Sequence, residues 1–490
     1  MLSVAVLLIP LIAAGLIVFA KLNIRHAKQL SFFSLALTFG LSLFMLREAA
    51  LAPIRLVFGA DPWNFYLFVT PPAAFMVSLF VGVALFIVWS SFSMIEHEVG
   101  SARTPAFYAL SCALVSTLCG VVMTANLINI FIFMELSSFA AVGLIIIKNK
   151  PENMRAGLRY LILALFGSAF ILMGTVIFHG VTGMLSISGI RAGLAENFYG
   201  NEYQVRSGII LFTIGIALKS GLFPLHIAAP DAYTFAPAPA SAFLSGLVQK
   251  AYVFLYIVVL YEAVGVETLL ADPVLSLLLF LLILTGAIAI IVCSILALLQ
   301  SDIKRLLAYS SISQVGYLFL GIGLGTRIGL FAVMLHFLTH AITKSMLFLT
   351  MGGVIMETGT SDLKELPNKA TQMKVSMALF TLGALSIIGI PLLIGFNSKW
   401  YFAMSMIDAS YYWFLGAVGT SALLSSCYYL PVAVRTFFRP ASEALPEGNF
   451  NERPFRHLVP IIILASLMFI FAMFGAPLNS FIQHSIESIW

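Results

Sequence analysis

The sequence predicts an all-α polytopic membrane protein. Two features of composition and one of patterning carry that expectation. Of the 490 residues, 61% are hydrophobic and only 10% are charged. The apolar residues fall into runs of about 20 separated by short polar connections, the length an α-helix needs to cross a bilayer. A soluble fold would have to bury nearly every one of these helices on all sides, which a mean hydropathy of +1.03 excludes. The formal net charge of +5 is then a matter of membrane topology, not of nucleic-acid binding.

Breaks at clusters of charge, Gly and Pro divide the chain into about fourteen expected spans: 2–20, 30–47, 64–90, 106–124, 126–147, 157–180, 206–224, 239–260, 273–299, 306–323, 327–350, 375–396, 410–434 and 457–475. The first, which contains LLIPLIAAGLIVF, has no basic leader and no small-residue cleavage signal, so it is expected to stay as a helix. The basic residues test the count. Arg47, Arg55, Arg191, Arg206 and Arg327 lie in connections that follow even-numbered spans, whereas 17 of the 26 follow odd-numbered ones. The positive-inside rule then puts the odd connections in the cytoplasm and both termini outside. The longest polar stretch, 435–457, is only long enough for a cytoplasmic connection with an amphipathic segment.

Four lysines remain that no connection explains: Lys219, Lys250, Lys344 and Lys399. A charge near the bilayer centre costs about 2.5–3.5 kcal/mol, and its default reading is functional; snorkelling rescues it only near a helix end. Glu135, in NLINIFIFMELSSFAAVGLIII, sits nine residues after Asn126 and thirteen before Lys148, and is the one acidic residue the sequence places deep in a span. Lys219 is followed by Gly221, Pro224, Pro230, Pro237 and Pro239, the composition of an interrupted helix. Lys399 follows Gly389, Pro391 and Gly395, a second interruption. Paired interruptions in two halves of a chain suggest an internal repeat holding charge at broken helices. Lys250 lies toward the middle of the span after the first interruption. His226 and Asp231 fall where the chain turns, where an interfacial structural role and participation in transfer are both open. His336, His340 and Lys344 stand at i, i+4 and i+8, one helical face. That stripe suits a proton relay, because imidazole changes charge near neutral pH and exchanges protons at both nitrogens. It lacks the carboxylates or cysteines that would complete a metal site. The four cysteines, Cys112, Cys119, Cys293 and Cys427, lie in apolar segments without close pairing, so no metal or redox cofactor is expected.

A lysine holds its proton less firmly when desolvated and more firmly beside a carboxylate, so changing distances within a charged row moves protons along it. At this point the residues carry a resemblance. KSGLFPLHIAAPDAYTFAPAPASAFLSGLVQK, DIKRLLAYSSISQVGYLFLGIG, HFLTHAITKSMLFLTMG and TLGALSIIGIPLLIGFNSKW resemble the antiporter-like, proton-conducting membrane subunits of respiratory complex I. The same superfamily holds large subunits of multisubunit sodium/proton antiporters and their membrane-bound hydrogenase relatives. The resemblance spans roughly residues 60–435. It implies fourteen helices with inverted five-helix repeats at helices 4–8 and 9–13 and broken helices 7 and 12. The expected units are thus 1–100, 101–260, 261–435 and 436–490. It also implies that Glu135 pairs with Lys219, that Lys250 connects, and that His336, His340 and Lys344 form a central stripe ending at Lys399. No redox group is implied in this chain. The partners implied are other membrane subunits, homologous antiporter-like ones among them, with protons, sodium and lipids, in a prokaryotic inner or plasma membrane.

The chain departs from the family pattern at HIAAPDAY, where Trp-Leu-Pro usually follows the histidine, and at Thr339, Gln249 and Pro391-Leu392. None of these removes an ionisable group. The stretch GALSIIGIP is similar to the antiporter's D-type subunits. The reading that results is the proton-translocating subunit of a sodium/proton antiporter, with a redox-driven pump as the alternative. An autonomous solute transporter would need a central substrate site instead of a row, and a structural scaffold would tolerate loss of Glu135.

Overall fold

The structure, a computed structural model, describes residues 1–59, 64–438 and 450–487. Among them, twelve helices are long and apolar enough to cross a membrane: Leu2–Phe19, Ile24–Leu51, Pro71–Ser91, Thr104–Met123, Leu127–Ile146, Pro151–Thr182, Ala238–Ala271, Pro273–Leu298, Ile303–Gly323, Arg327–Thr358, Tyr412–Phe437 and Phe455–Met473. Two further crossings are interrupted. The seventh is Glu202–Ser220 followed by Ala229–Phe235, and the twelfth is Lys374–Ile388 followed by Ile394–Asp408. Together they make the fourteen spans that the sequence predicts, numbered below in chain order.

Each interruption begins at a glycine in the left-handed region, Gly221 at φ +69° and Gly389 at φ +94°, a conformation that an L side chain resists. The twelfth span is interrupted as expected but outruns its expected range of 375–396: Pro391 lies in the break, and the second half runs on to Asp408. The third span begins at Pro71 instead of 64. The stretch Phe65–Val69 is a strand, paired antiparallel with Ile54–Phe58 from Ile54 opposite Val69 to Phe58 opposite Phe65. Aromatic and β-branched residues favour that pairing, and Thr70 then caps the helix by accepting from the Ala73 N–H. The eighth span outruns its expected 239–260 and contains two π-helical stretches, Leu244–Val248 and Val258–Gly265. A further helix, Ala476–Glu487, follows the fourteenth.

The connections sort by parity. Even connections meet one another: the Ala125 N–H donates to the Tyr66 carbonyl at 3.0 Å, and Leu127 N–H to the Leu185 carbonyl at 2.9 Å. Odd connections meet on the opposite side, with Lys148 paired to Glu98 at 2.6 Å and the Ile303 N–H on the Ser361 carbonyl at 2.9 Å. Residues 439–449 of the expected amphipathic connection lie outside the described residues. Beyond them, Glu452 accepts from the Val375 N–H at 2.8 Å and so caps the first half of the twelfth span. The tenth and eleventh spans are enclosed on all sides, while the first, second and sixth turn apolar faces outward. The enclosed pair positions the site.

Candidate ion-translocation site

Glu135 of the fifth span and Lys219, in the last turn before the first interruption, form an ion pair with Nζ to Oε1 at 3.0 Å. Ser168 of the sixth span donates to the same carboxylate oxygen. Lys219 also donates to Ser138 Oγ at 2.9 Å, and Ser138 lies 3.3 Å from the Tyr252 hydroxyl. Carboxylate, ammonium and three hydroxyls thus form a connected patch. Glu135 is less enclosed than the sequence suggests: its side chain is 17% exposed, whereas that of Lys219 is fully covered.

A cavity of about 20 Å³ adjoins Lys219, lined among others by Ser138, His226, Gln249 and Tyr252. It has room for one water and enough polar groups to hold it. His226 therefore shares a space with Lys219. Asp231 does not: it bridges Arg159 at 2.5 Å and Arg305 at 3.5 Å, tying the second half of the seventh span to the sixth and tenth. The sequence left the roles of these two open, and the structure separates them.

Lys250 is fully buried, and its ammonium donates to the Ser245 carbonyl within the π-helical stretch of its own span. In π-helical geometry the carbonyl at position i faces residue i+5, which sets the Ser245 carbonyl beside Lys250. Ser245 in turn donates to Ser311 of the tenth span at 2.8 Å. Gly246 lets the eleventh span approach, since a Cβ there would collide with Ser345 Oγ. Lys344 donates to the Leu307 carbonyl at 3.2 Å and the Tyr429 hydroxyl at 3.1 Å. Tyr429 donates to Ser310 at 2.9 Å. Neither Lys250 nor Lys344 has a carboxylate within ion-pair distance among the described residues.

His336 and His340 lie on consecutive turns with ring centroids 5.8 Å apart and planes 12° from parallel. His336 Nδ1 is 3.1 Å from Ser398 Oγ, beside Lys399. Lys399 reaches back across the second interruption to the Ile387 and Ile388 carbonyls at 2.6 and 3.1 Å, the open C-terminal carbonyls of the first half-helix. Among the described residues, neither ring nitrogen of His340 has a partner, nor do Ser345 Oγ and the side chain of Gln314. Buried polar atoms left by their neighbours in this way call for water. Lysines, imidazoles and hydroxyls interleaved with such atoms can take up and release protons in sequence.

Two groups escaped the sequence reading. Gln249 donates to the Ser220 carbonyl at 3.0 Å, joining the first interruption to the span of Lys250; a polar residue beside a buried lysine is the signal for it. Lys304, counted among the connections, is buried and donates to the Ala236 carbonyl.

A bundle with two broken helices around an enclosed row of ionisable groups defines an ion-translocating membrane subunit. Comparison with known proteins agrees: residues 124–425 match the family described as NADH:quinone oxidoreductase/Mrp antiporter, TM. The chain is 30% identical to an NADH-quinone oxidoreductase subunit N of Desulforudis audaxviator over 99% of its own length and 98% of that protein's. It is 26% identical to the D-type subunit of the Na(+)/H(+) antiporter of Alkalihalophilus pseudofirmus over 89% of its length and 83% of that protein's. Among solved structures, a chain of an archaeal membrane-bound sulfane sulfur reductase superposes with a TM-score of 0.89 at 26% identity, covering 99% of this chain and 98% of that one. The chain belongs to the NADH:quinone oxidoreductase/Mrp antiporter family, as an antiporter-like, proton-translocating membrane subunit.

Proposed function

We propose that this chain carries protons along the row Glu135–Lys219–Lys250–Lys344–His340–His336–Lys399 as one subunit of a multisubunit cation/proton antiporter, with sodium as the exchanged cation. The observation that carries the row is its continuity: every member but His340 is held by a neighbouring hydroxyl, carbonyl or carboxylate, and the His340 ring stacks on that of His336 with centroids 5.8 Å apart. The Glu135–Lys219 pair is the natural switch. Opening it removes the carboxylate that holds the ammonium's proton, and closing it restores that hold. Glu135 lies on a lateral face among exposed Ile132, Leu136 and Phe139, so a carboxylate next to lipid awaits cover. A homologous antiporter-like protein packed against that face would supply it. Lipids cover the remaining apolar faces in a prokaryotic cell membrane.

A second reading, the same row serving a redox-driven proton pump, is favoured by the full-length match to an NADH-quinone oxidoreductase subunit. In that second case the electrons would run through partner subunits. Mass spectrometry of the native complex in mild detergent distinguishes the two, since iron-sulfur or nickel proteins accompany only a redox-driven assembly. Glu135→Gln tests the row itself. The variant complex should assemble and lose sodium-driven proton flux in everted vesicles, and full flux at matched protein level would sink the proton-path assignment.

A further inference from the structure

We propose that Lys304 is the relay residue that admits protons to the buried row from a vestibule on the face with most of the basic residues. This rests on the reading of the row as a proton path. The vestibule is a cavity of about 600 Å³ between the ends of the third, fifth, seventh, ninth and eleventh spans. His97, Lys150 and Glu152 on its rim are exposed, so water enters freely. Lys304 lines the cavity and is itself 93% covered, its relative exposure being 7%.

The charged groups around it are already committed. Glu98 is paired with Lys148 at 2.6 Å and accepts from the Ala238 N–H at 3.2 Å. Asp302 accepts from the Arg305 N–H at 2.9 Å and from Ser361. Among the described residues, none of these carboxylates reaches Lys304 within ion-pair distance. Among the described residues, its ammonium is held by the Ala236 carbonyl at the end of the seventh span. A lone, water-accessible amine without a counter-charge can lose its proton inward and recover one from the vestibule.

The tenth span supplies the inward route. From Lys304, successive turns along one side present the Leu307 carbonyl and Ser311, since residues three to four apart stack on a helix. The Leu307 carbonyl accepts from Lys344 at 3.2 Å, and Ser311 accepts from Ser245, whose own carbonyl holds Lys250. One helix therefore connects the vestibule floor to two lysines of the row, over a rise of about 10 Å. In the step itself, an N–H bond of the Lys304 ammonium breaks, and its proton passes through intervening water to the deprotonated amine of Lys344, where a new N–H bond forms. The amine left behind takes a proton from a hydronium ion in the vestibule, which becomes water.

A purely structural role is the rival, because Lys304 also caps a half-helix. Lys304→Arg separates the two, since arginine keeps the charge and the donor but does not release a proton. In the assembled complex, sodium-driven proton flux should fall on the order of 10²-fold in Lys304→Arg. Lys304→His should carry flux with its pH optimum moved down toward about 6.5. Parent-level flux in the arginine variant, or an unmoved optimum in the histidine variant, overturns the proposal. So does failure of both variants to assemble, which would assign Lys304 to holding the seventh span. Glu135→Gln in parallel keeps the two readings apart. Loss there with unimpaired Lys304→Arg rejects only the relay, whereas retained flux in Glu135→Gln rejects the row beneath it.

Discussion

Lys219 and Glu135 are the one close opposite-charge pair of the row, and their energetics differ from those of the unpaired lysines. Removing one partner of a buried pair leaves an uncompensated charge, and such losses reach about 3–5 kcal/mol when both groups are enclosed. Glu135 keeps 17% exposure, so the pair is not fully enclosed and the effect is smaller, about 1–3 kcal/mol for Glu135→Ala. The double variant Glu135→Ala with Lys219→Ala should be more stable than the sum of the two singles predicts, because no orphaned ammonium remains. Thermal unfolding of the purified complex measures this cycle, and strict additivity would mean that the pair is not coupled. Lys219→Arg should retain the ion pair and most of the stability while losing proton flux, a split that packing alone does not produce.

The two broken spans look alike in sequence but hold their lysines differently. Lys219 ends the first half of its span and turns sideways to a carboxylate on another helix. Lys399 lies on the second half and folds back onto the open carbonyls of the first. That second arrangement depends on Gly389: at φ +94°, a Cβ there would lie 2.9 Å from Lys399 Cδ. Gly389→Ala should lower stability by about 1–2 kcal/mol through its left-handed backbone and displace the lysine. Gly40 meets no atom within 4 Å of a built Cβ, so Gly40→Ala should be neutral or gain up to about 1 kcal/mol. Melting curves of the two complexes should therefore move in different directions, and a shared direction would contradict the strain at the interruption. Both interruptions were legible as Gly and Pro beside a lysine, and the stripe at 336, 340 and 344 as helical spacing. Lys304 was not, because Asp-Ile-Lys-Arg at a helix start reads as a solvated end. It is buried only because the seventh span, 68 residues away, ends on top of it. The hairpin strand Phe65–Val69 was hidden for a different reason: its letters continue the apolar run of the third span, and only pairing with Ile54–Phe58 makes it a strand.

Parity ties these local devices to the direction of flux. Odd connections carry 17 of the 26 basic residues in the sequence, and they gather on the face of the 600 Å³ vestibule. Even connections gather beneath the hairpin on the other face, where Arg206 holds Asp272 at 2.6 Å. Burial by itself would raise the Asp272 carboxyl, but the Arg206 fork and the Leu275 and Val274 amides outweigh it and hold it below the usual carboxylate range. Its contribution to closing that face is therefore present above about pH 4 and is lost as the pH falls through its lowered value. If the positive-inside rule governs insertion, the vestibule opens to the cytoplasm. Two single cysteines in a cysteine-free background test this. Lys150→Cys, exposed after the fifth span, should react with a membrane-impermeant maleimide only in inverted vesicles. Tyr199→Cys, at a position 86% exposed after the sixth, should react only in intact cells. Labelling of both from one side would break the alternation on which fourteen spans depend. Labelling of each from the side opposite to that expected would keep the span count but reverse the orientation, and protons would then enter the row at Lys304 from outside the cell.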